Sequence, residues 1–228
     1  MGALHKGHLS LIEKAQQKNN IVVVSIFVNP TQFDKEEDLV NYPKTVENDI
    51  KLLESVFCDV LFLPSVEEIY SDNISSQKFD YDGLEHQMEG KFRDGHFDGV
   101  GTIVKAFFEI VAPNKAYFGE KDFQQLQIIK KMVKKNNLPV KVKGCKIFRE
   151  EDGLAMSSRN ARLTQKHRGA APLIYKTLKK VQLEYFMIAD EKSLKPIKDK
   201  ESDKKYRAFI AVFAGKIRLI DNISLHKN

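Results

Sequence analysis

Residues 21–33 read IVVVSIFVNPTQF. The β-branched run Ile21–Val28 has the texture of a buried strand, and Pro30 fixes the backbone so that the chain leaves it sharply. Asn29 and Gln32 then stand at the carboxyl end of that strand, where open α/β sheets bind ligands. The alternative for Asn29 is a turn in which its side chain bonds its own backbone. Downstream, a helix carries Val46, Ile50, Leu53 and Phe57 on one face, and the short apolar strand DVLFLP (59–64) follows. A second helix carries Val100, Val104, Phe107, Phe108 and Val111, then comes the strand-like AYF (116–118). A third helix carries Phe123, Leu126, Ile129 and Val133 and leads to VKVKGCKIF (140–148). Strand and helix patterns alternating in this way predict a doubly wound α/β, Rossmann-like parallel sheet.

Beyond MSSRN (156–160) the texture changes. A helix is expected from near Thr164, then strands at YFMIAD, AFIAVF and KIRLID, the last two joined by a Gly-containing turn. The expected organisation is a main domain over residues 1–147 and a small α+β domain over residues 148–228. The Lys/Asp-rich KPIKDKESDKKYR (195–207) reads as a mobile surface loop.

A chain of 228 residues, 42% hydrophobic, can bury one sizeable core plus a small appendage. No apolar run approaches the ~20 residues of a membrane span, and no secretory leader pattern opens the sequence. Lys6 stands where a myristoylation motif requires Ser or Thr. With only Cys58 and Cys145, and no ligand spacing around them, a reduced, cytoplasmic protein is expected. The net charge of +6 comes from scattered lysines that read as solvated faces, so no nucleic-acid or membrane partner is expected.

Four segments carry chemistry. In MGALHKGHLSLIEKA (1–15) His5 and His8 fall on the first turn of an amphipathic helix, whose outward N–H groups and two imidazoles suit phosphate oxygens. The bland alternative makes one His a cap and the other a surface residue. NPTQF is the second segment. In GEKDFQQL, Gly119 is read as serving the turn, Lys121 as a point charge for phosphate, and Asp122 as the cap of the next helix, as a site residue, or as both. In MSSRN, Ser157, Ser158 and Arg159 offer hydroxyl and guanidinium donors to an anion. Neither a P-loop nor a GxGxxG fingerprint is present. What remains is a nucleotide-transferring site built from a His pair, a Lys and Ser-Ser-Arg.

MGALHKGH, SIFVNPTQF, DLVNYPKT, KFRDGHFDGVGTIV, FGEKDFQQL, DGLAMSSRN and RLIDN, in this order, together resemble the pantoate:beta-alanine ligase family. The resemblance implies a nucleotidylyltransferase with a HIGH-type signature. It would join (R)-pantoate to beta-alanine through a pantoyl adenylate, with ATP as substrate and Mg²⁺, releasing pyrophosphate and AMP, and would work as a homodimer. It places ATP on Met1, Gly2, Ala3, Leu4, His5, Lys6, Gly7 and His8, on Gly119, Glu120, Lys121 and Asp122, on Phe148, and on Met156, Ser157, Ser158 and Arg159. His8 falls where the family has its proton donor; catalysis is expected from His5, His8, Lys121, Ser157, Ser158 and Arg159. Gln32, with Asn29 beside it, and Gln125 would bind the organic substrates. No residue is assigned as a metal ligand, and the roles of Arg93 and His96 stay open.

Two departures stand out. The family's first strand and its Val-Pro-Thr approach have no counterpart before Met1, so the sequence is expected to begin inside its natural chain, the alternative being a site built without the strand that normally supports it. The stretch between Val181 and YFMIAD is also shorter than in the family, through residues dropped from the sequence or a true deletion. The C-terminal domain would serve as a lid over the adenylate. Two other classes compete with this reading: an RNA-related module, which would require a KMSKS-like loop where MSSRN stands, and a cytidylyltransferase, which would call for more basic residues beside Gln32 and Gln125.

Overall fold

The computed structural model of the chain describes residues 2–33, 39–40, 42–43, 45–71, 73–176, 182–197, 201, 203–215 and 217–225. Two compact units divide the chain: Met1–Phe118 with Gln124–Cys145, and Gly119–Phe123 with Lys146–Asn228.

In the first unit, α1 (Lys6–Gln16) precedes β1 (Val23–Ser25), which pairs in parallel with β2 (Val60–Phe62), Val23 opposite Val60 and Ser25 opposite Phe62. Parallel strands need a crossover, and α2 (Val46–Ser55) lies within it. Because side chains alternate along a strand, Val22, Val24 and Ile26 share one face, packed in a core with Leu4, Ile12, Ala15 and Leu53. On the other face the Phe107 ring of α3 (His96–Val111) meets Phe27 and Phe62 edge-on at 5.9 and 5.4 Å. Helices on both faces give the doubly wound character. A second strand pair joins β3 (Lys115–Gly119) to β4 (Lys141–Cys145), with α4 (Phe123–Lys135) between them in sequence. α4 buries Leu126, Ile128, Ile129 and Met132.

Two local expectations change. Ile21–Val28 forms ladder only over Val23–Ser25, with one more bond at each end, from Val60 N–H to the Val22 carbonyl (3.2 Å) and from Ile26 N–H to the Phe62 carbonyl (3.0 Å), because β2 spans only Val60–Phe62. In α2 the apolar face is one residue away from the one read from sequence. Val46, Ile50 and Phe57 are exposed, while Asp49 and Leu53 are buried, with Leu52 and Val56 packed alongside. The helix turns this way because Asp49 has partners inside.

In the second unit β5 (Gln182–Asp190), β6 (Tyr206–Ala214) and β7 (Ile217–Ser224) form an antiparallel meander. Asp190 lies opposite Tyr206, and Ala214 opposite Ile217 across a turn in which Gly215 takes φ +65°. Thr164 caps the helix Gln165–Ala170 by accepting from His167 N–H (3.3 Å). The core is Leu154, Ala171, Ile174, Ile210, Val212 and Leu219. Of the lysine-rich stretch 195–207, residues 198–200 and 202 lie outside the described residues, as does Val181. The start of that stretch is tied to β5 by Ile197 N–H on the Ile188 carbonyl (3.1 Å).

Candidate active site

The first unit holds three of the sequence-selected groups. His5 is the N-cap of α1, and the His5 and His8 rings stack with centroids 4.0 Å apart, as a separation of three residues at a helix start allows. The His5 side chain makes no cap hydrogen bond, and no acidic residue occupies the first turn of α1. A helix start carries a partial positive charge that favours an anion. Lys6 is exposed between the histidines. Met1 lies outside the described residues.

The approach to His5 is fixed by a residue that sequence reading missed. Asp49, 1% exposed, accepts from Ala3 N–H (3.0 Å), Leu4 N–H (2.7 Å) and the Thr45 hydroxyl (3.0 Å). It holds Ala3 at φ +48°, a conformation that an L-residue rarely adopts unaided.

Pro30–Gln32 forms one 3₁₀ turn after β1. Asn29 is 2% exposed, and its polar atoms are engaged inside: Nδ2 donates to the Gly99 carbonyl (3.0 Å), and Oδ1 accepts from the Tyr70 and Thr31 hydroxyls. Burial pushes the Tyr70 phenol up, against the lowering effect of its bonds to Thr31 and Asn29, so it stays a donor. A Cβ on Gly99 would collide with the Thr31 carbonyl, so glycine lets α3 approach this turn. The Gln32 carbonyl accepts from Arg93 Nη2 (3.2 Å) and lies 2.8 Å from His96 Nδ1. Gln124 and Gln125 divide in a similar way. Gln124, 4% exposed, bonds Glu89 N–H and the Leu84 and Gln87 carbonyls, whereas Gln125 is half-buried.

The second unit holds the other groups. Gly119 ends β3, and Glu120–Asp122 make a 3₁₀ turn. Gly119 has φ −70° and a Cβ there would meet nothing, so the turn does not require glycine, contrary to the expectation from sequence. Lys121 Nζ lies 3.6 Å from Asp122. Asn222 on β7 donates to the carbonyls of Glu120 and Lys121, both at 2.9 Å, and accepts from Arg207 (2.6 Å). The Arg207 guanidinium lies 4.1 Å from the Phe123 ring centroid and bonds Glu191 (3.0 Å). Thus RLIDN supports the lysine turn. Phe148 is 38% exposed, and its carbonyl accepts from Met156 N–H (3.0 Å). Ser157 caps the 3₁₀ turn Ser158–Arg162 by accepting from Arg159 N–H (3.3 Å), which leaves its hydroxyl proton to donate. Arg149 on Asp221 (2.7 and 3.0 Å) and Arg168 on Glu150 and Asp152 (2.6 Å each) brace the chain around MSSRN.

The pantoate-beta-alanine ligase profile matches residues 1–224. The chain belongs to the pantoate-beta-alanine ligase family. A pantothenate synthetase of Flavobacterium psychrophilum is 55% identical over 254 residues, covering 99% of this chain and 89% of its own. One from Bacteroides fragilis is 45% identical over 249 residues, with 98% and 88% covered. Both alignments exceed the 228 residues here, so each relative carries residues without a counterpart. The crystal structure of pantothenate synthetase from Thermus thermophilus superposes with a TM-score of 0.92 at 37% identity, covering 100% of this chain and 91% of that one. The Francisella tularensis ligase, crystallised with beta-gamma ATP and beta-alanine, gives a TM-score of 0.85 at 38% identity, with 98% and 87% covered.

Within this family framework, Asp49 and Asn222 are the residues sequence reading passed over. Asp49 stands among residues that read as a helix surface. Asn222 is visible in the sequence only as part of RLIDN, a motif without an assigned task.

Proposed function

We propose that this chain condenses (R)-pantoate with beta-alanine in two steps driven by ATP. Family membership over residues 1–224 carries this reading, supported by the relative crystallised with beta-gamma ATP and beta-alanine. In the first step a pantoate carboxylate oxygen attacks the α-phosphorus, an acyl phosphate bond forms and pyrophosphate leaves. In the second step the free amine of beta-alanine attacks the acyl carbon, the amide forms and AMP leaves.

His5 and His8 at the start of α1 would take the phosphates, with His8 as the proton donor. Lys121, Ser157, Ser158 and Arg159 would stabilise charge growing on the transferring group. Gly2–Leu4, Gly119–Asp122, Phe148 and Met156 complete the proposed ATP contacts, and open space beside the Gly119 Cα suits close approach of a phosphate or ribose to the backbone. Gln32 and Gln125 would bind the organic substrates, because an amide both donates and accepts. Asn29 serves them indirectly, since its polar atoms hold the turn that carries Gln32. Mg²⁺ enters as part of the nucleotide substrate. A phosphate-borne Mg²⁺ keeps several waters and takes few ligands from the protein. Residues 1–147 would bind nucleotide and pantoate, and residues 148–228 would act as the lid that keeps water from the adenylate.

A homodimer fits an apolar strip on the first unit. Val23 and Val60, register partners, are 38% and 44% exposed, and Ile110, one turn from Phe107, is 56% exposed. Light scattering would read a mass twice that of the chain. No helix among the described residues is long and apolar enough to cross a membrane; a cytoplasmic location is proposed from the cysteine pattern.

The deciding experiment incubates the protein with MgATP, pantoate and beta-alanine and measures AMP and pantothenate. Equal yields of the two products, with pyrophosphate released from ATP and pantoate alone, are expected. Pyrophosphate release that requires beta-alanine would refute the adenylate order.

A further inference from the structure

Arg93 and His96 form a charged and aromatic pair that the chemistry above leaves without a task. His96 is the first residue of α3, 8% exposed, and follows Gly95, which takes φ +71°. Its Nδ1 lies 2.8 Å from the Gln32 carbonyl oxygen and its Nε2 3.3 Å from Arg93 Nη1, while Arg93 Nη2 donates to the same carbonyl at 3.2 Å. A guanidinium has donors only, so Nε2 accepts from it. A carbonyl accepts only, so Nδ1 carries the hydrogen. One tautomer, Nδ1–H, satisfies all three contacts.

The turn this pair grips has little support of its own. It is three residues long, closed by one backbone bond from Phe33 N–H to the Pro30 carbonyl at 3.3 Å. Its first residues are fixed from α3 through Asn29 on the Gly99 carbonyl. Its last residue, Gln32, is fixed by its carbonyl. A shift there would carry the Gln32 amide with it, since side chain and carbonyl share one Cα.

We propose that His96, kept in its Nδ1–H form by Arg93, is a positioning residue that sets where the Gln32 amide meets pantoate and beta-alanine. This rests on the reading of Gln32 as the organic-substrate glutamine. Two substitutions separate positioning from packing. In His96→Asn the amide nitrogen can stand where Nδ1 stands and keep the donor. In His96→Gln the longer side chain offers its amide near the Nε2 position and loses the donor to Gln32.

Steady-state kinetics with each substrate varied would read the difference. His96→Gln is expected to raise KM for pantoate about tenfold, the scale of losing one orienting hydrogen bond, with KM for ATP unchanged. His96→Asn is expected to stay within about threefold of wild type, because its donor is retained. Arg93→Met, at a half-buried site, should move pantoate KM in the same direction and reports on the clamp even where His96→Gln does not fold. Equal pantoate KM for the Asn and Gln variants, or an ATP KM that rises as much as that of pantoate, would overturn the positioning role. Gln32→Ala is the control. A rise in its pantoate KM with none in His96→Gln or Arg93→Met refutes the His96 role alone, whereas unchanged pantoate and beta-alanine KM in Gln32→Ala refutes the reading of Gln32 and the His96 role with it.

Discussion

Asp49→Ala should unfasten the segment that leads into the His pair. The carboxylate accepts from two backbone N–H groups, Ala3 at 3.0 Å and Leu4 at 2.7 Å, and from the Thr45 hydroxyl, at a position 1% exposed to solvent. A buried N–H left without an acceptor costs about 1–3 kcal/mol. The left-handed backbone of Ala3, φ +48°, adds roughly 1–2 kcal/mol that the carboxylate now opposes. Counting the one buried N–H, that of Leu4, removing the carboxylate therefore leaves about 2–5 kcal/mol favouring relaxation of residues 2–4, which displaces His5 and His8 from the start of α1. The segment can recover part of this by finding water, so the expected loss of MgATP affinity is on the order of a hundredfold, about 2.7 kcal/mol. Asp49→Asn keeps one acceptor oxygen and should lose roughly tenfold. Calorimetric titration of MgATP, alongside urea unfolding of each variant, gives both numbers. ATP affinity in Asp49→Ala equal to that of wild type would refute the claim that this carboxylate shapes the nucleotide site. So would equal losses in Asn and Ala, since the graded order is the signature of counted acceptors.

His8→Ala and Lys121→Ala should each slow pyrophosphate release in single turnover by roughly a hundredfold or more, the scale of removing one preorganised donor from developing charge; rates near wild type would return that residue to a structural role. Gly119→Ala separates fold from function: with φ −70° and open space at the Cβ position, stability should change by less than about 0.5 kcal/mol, while KM for ATP rises severalfold, and an unchanged KM would exclude close nucleotide approach at that backbone. Hydrogen bonds from Lys131 and Lys135 hold the Asp82 carboxyl down at about 2, from its ordinary 3.8. With the folded value depressed, the linked stabilisation is present above 3.8 and is lost as pH falls through about 2; carboxyl-carbon NMR should find this midpoint, and Lys131→Ala should raise it.

The sequence by itself determined the elements whose signal is local. The period of α4 was legible because Leu126 and Ile129 lie on the buried stripe of one helix, and a stripe is written in residues three or four apart. The strand-to-turn reading of NPTQF, the helix start near Thr164 and the hairpin through Gly215 were legible for the same reason. The order of the motifs then pointed to the family. Tertiary structure decided which polar residues face inward. Around α2 an apolar periodicity pointed to Val46, Ile50, Leu53 and Phe57, yet only Leu53 of these is buried, beside Asp49, whose partner Leu4 lies 45 residues away. Nothing in QQ tells Gln124 from Gln125; the carbonyls of Leu84 and Gln87 do, 40 and 37 residues off. His96 reaches Gln32 over 64 residues and Asn222 reaches Lys121 over 101. Hydrophobic periodicity reports which side of an element leaves water. A buried polar group needs a partner set in place by the folded chain, and these partners lie far beyond any local window of sequence.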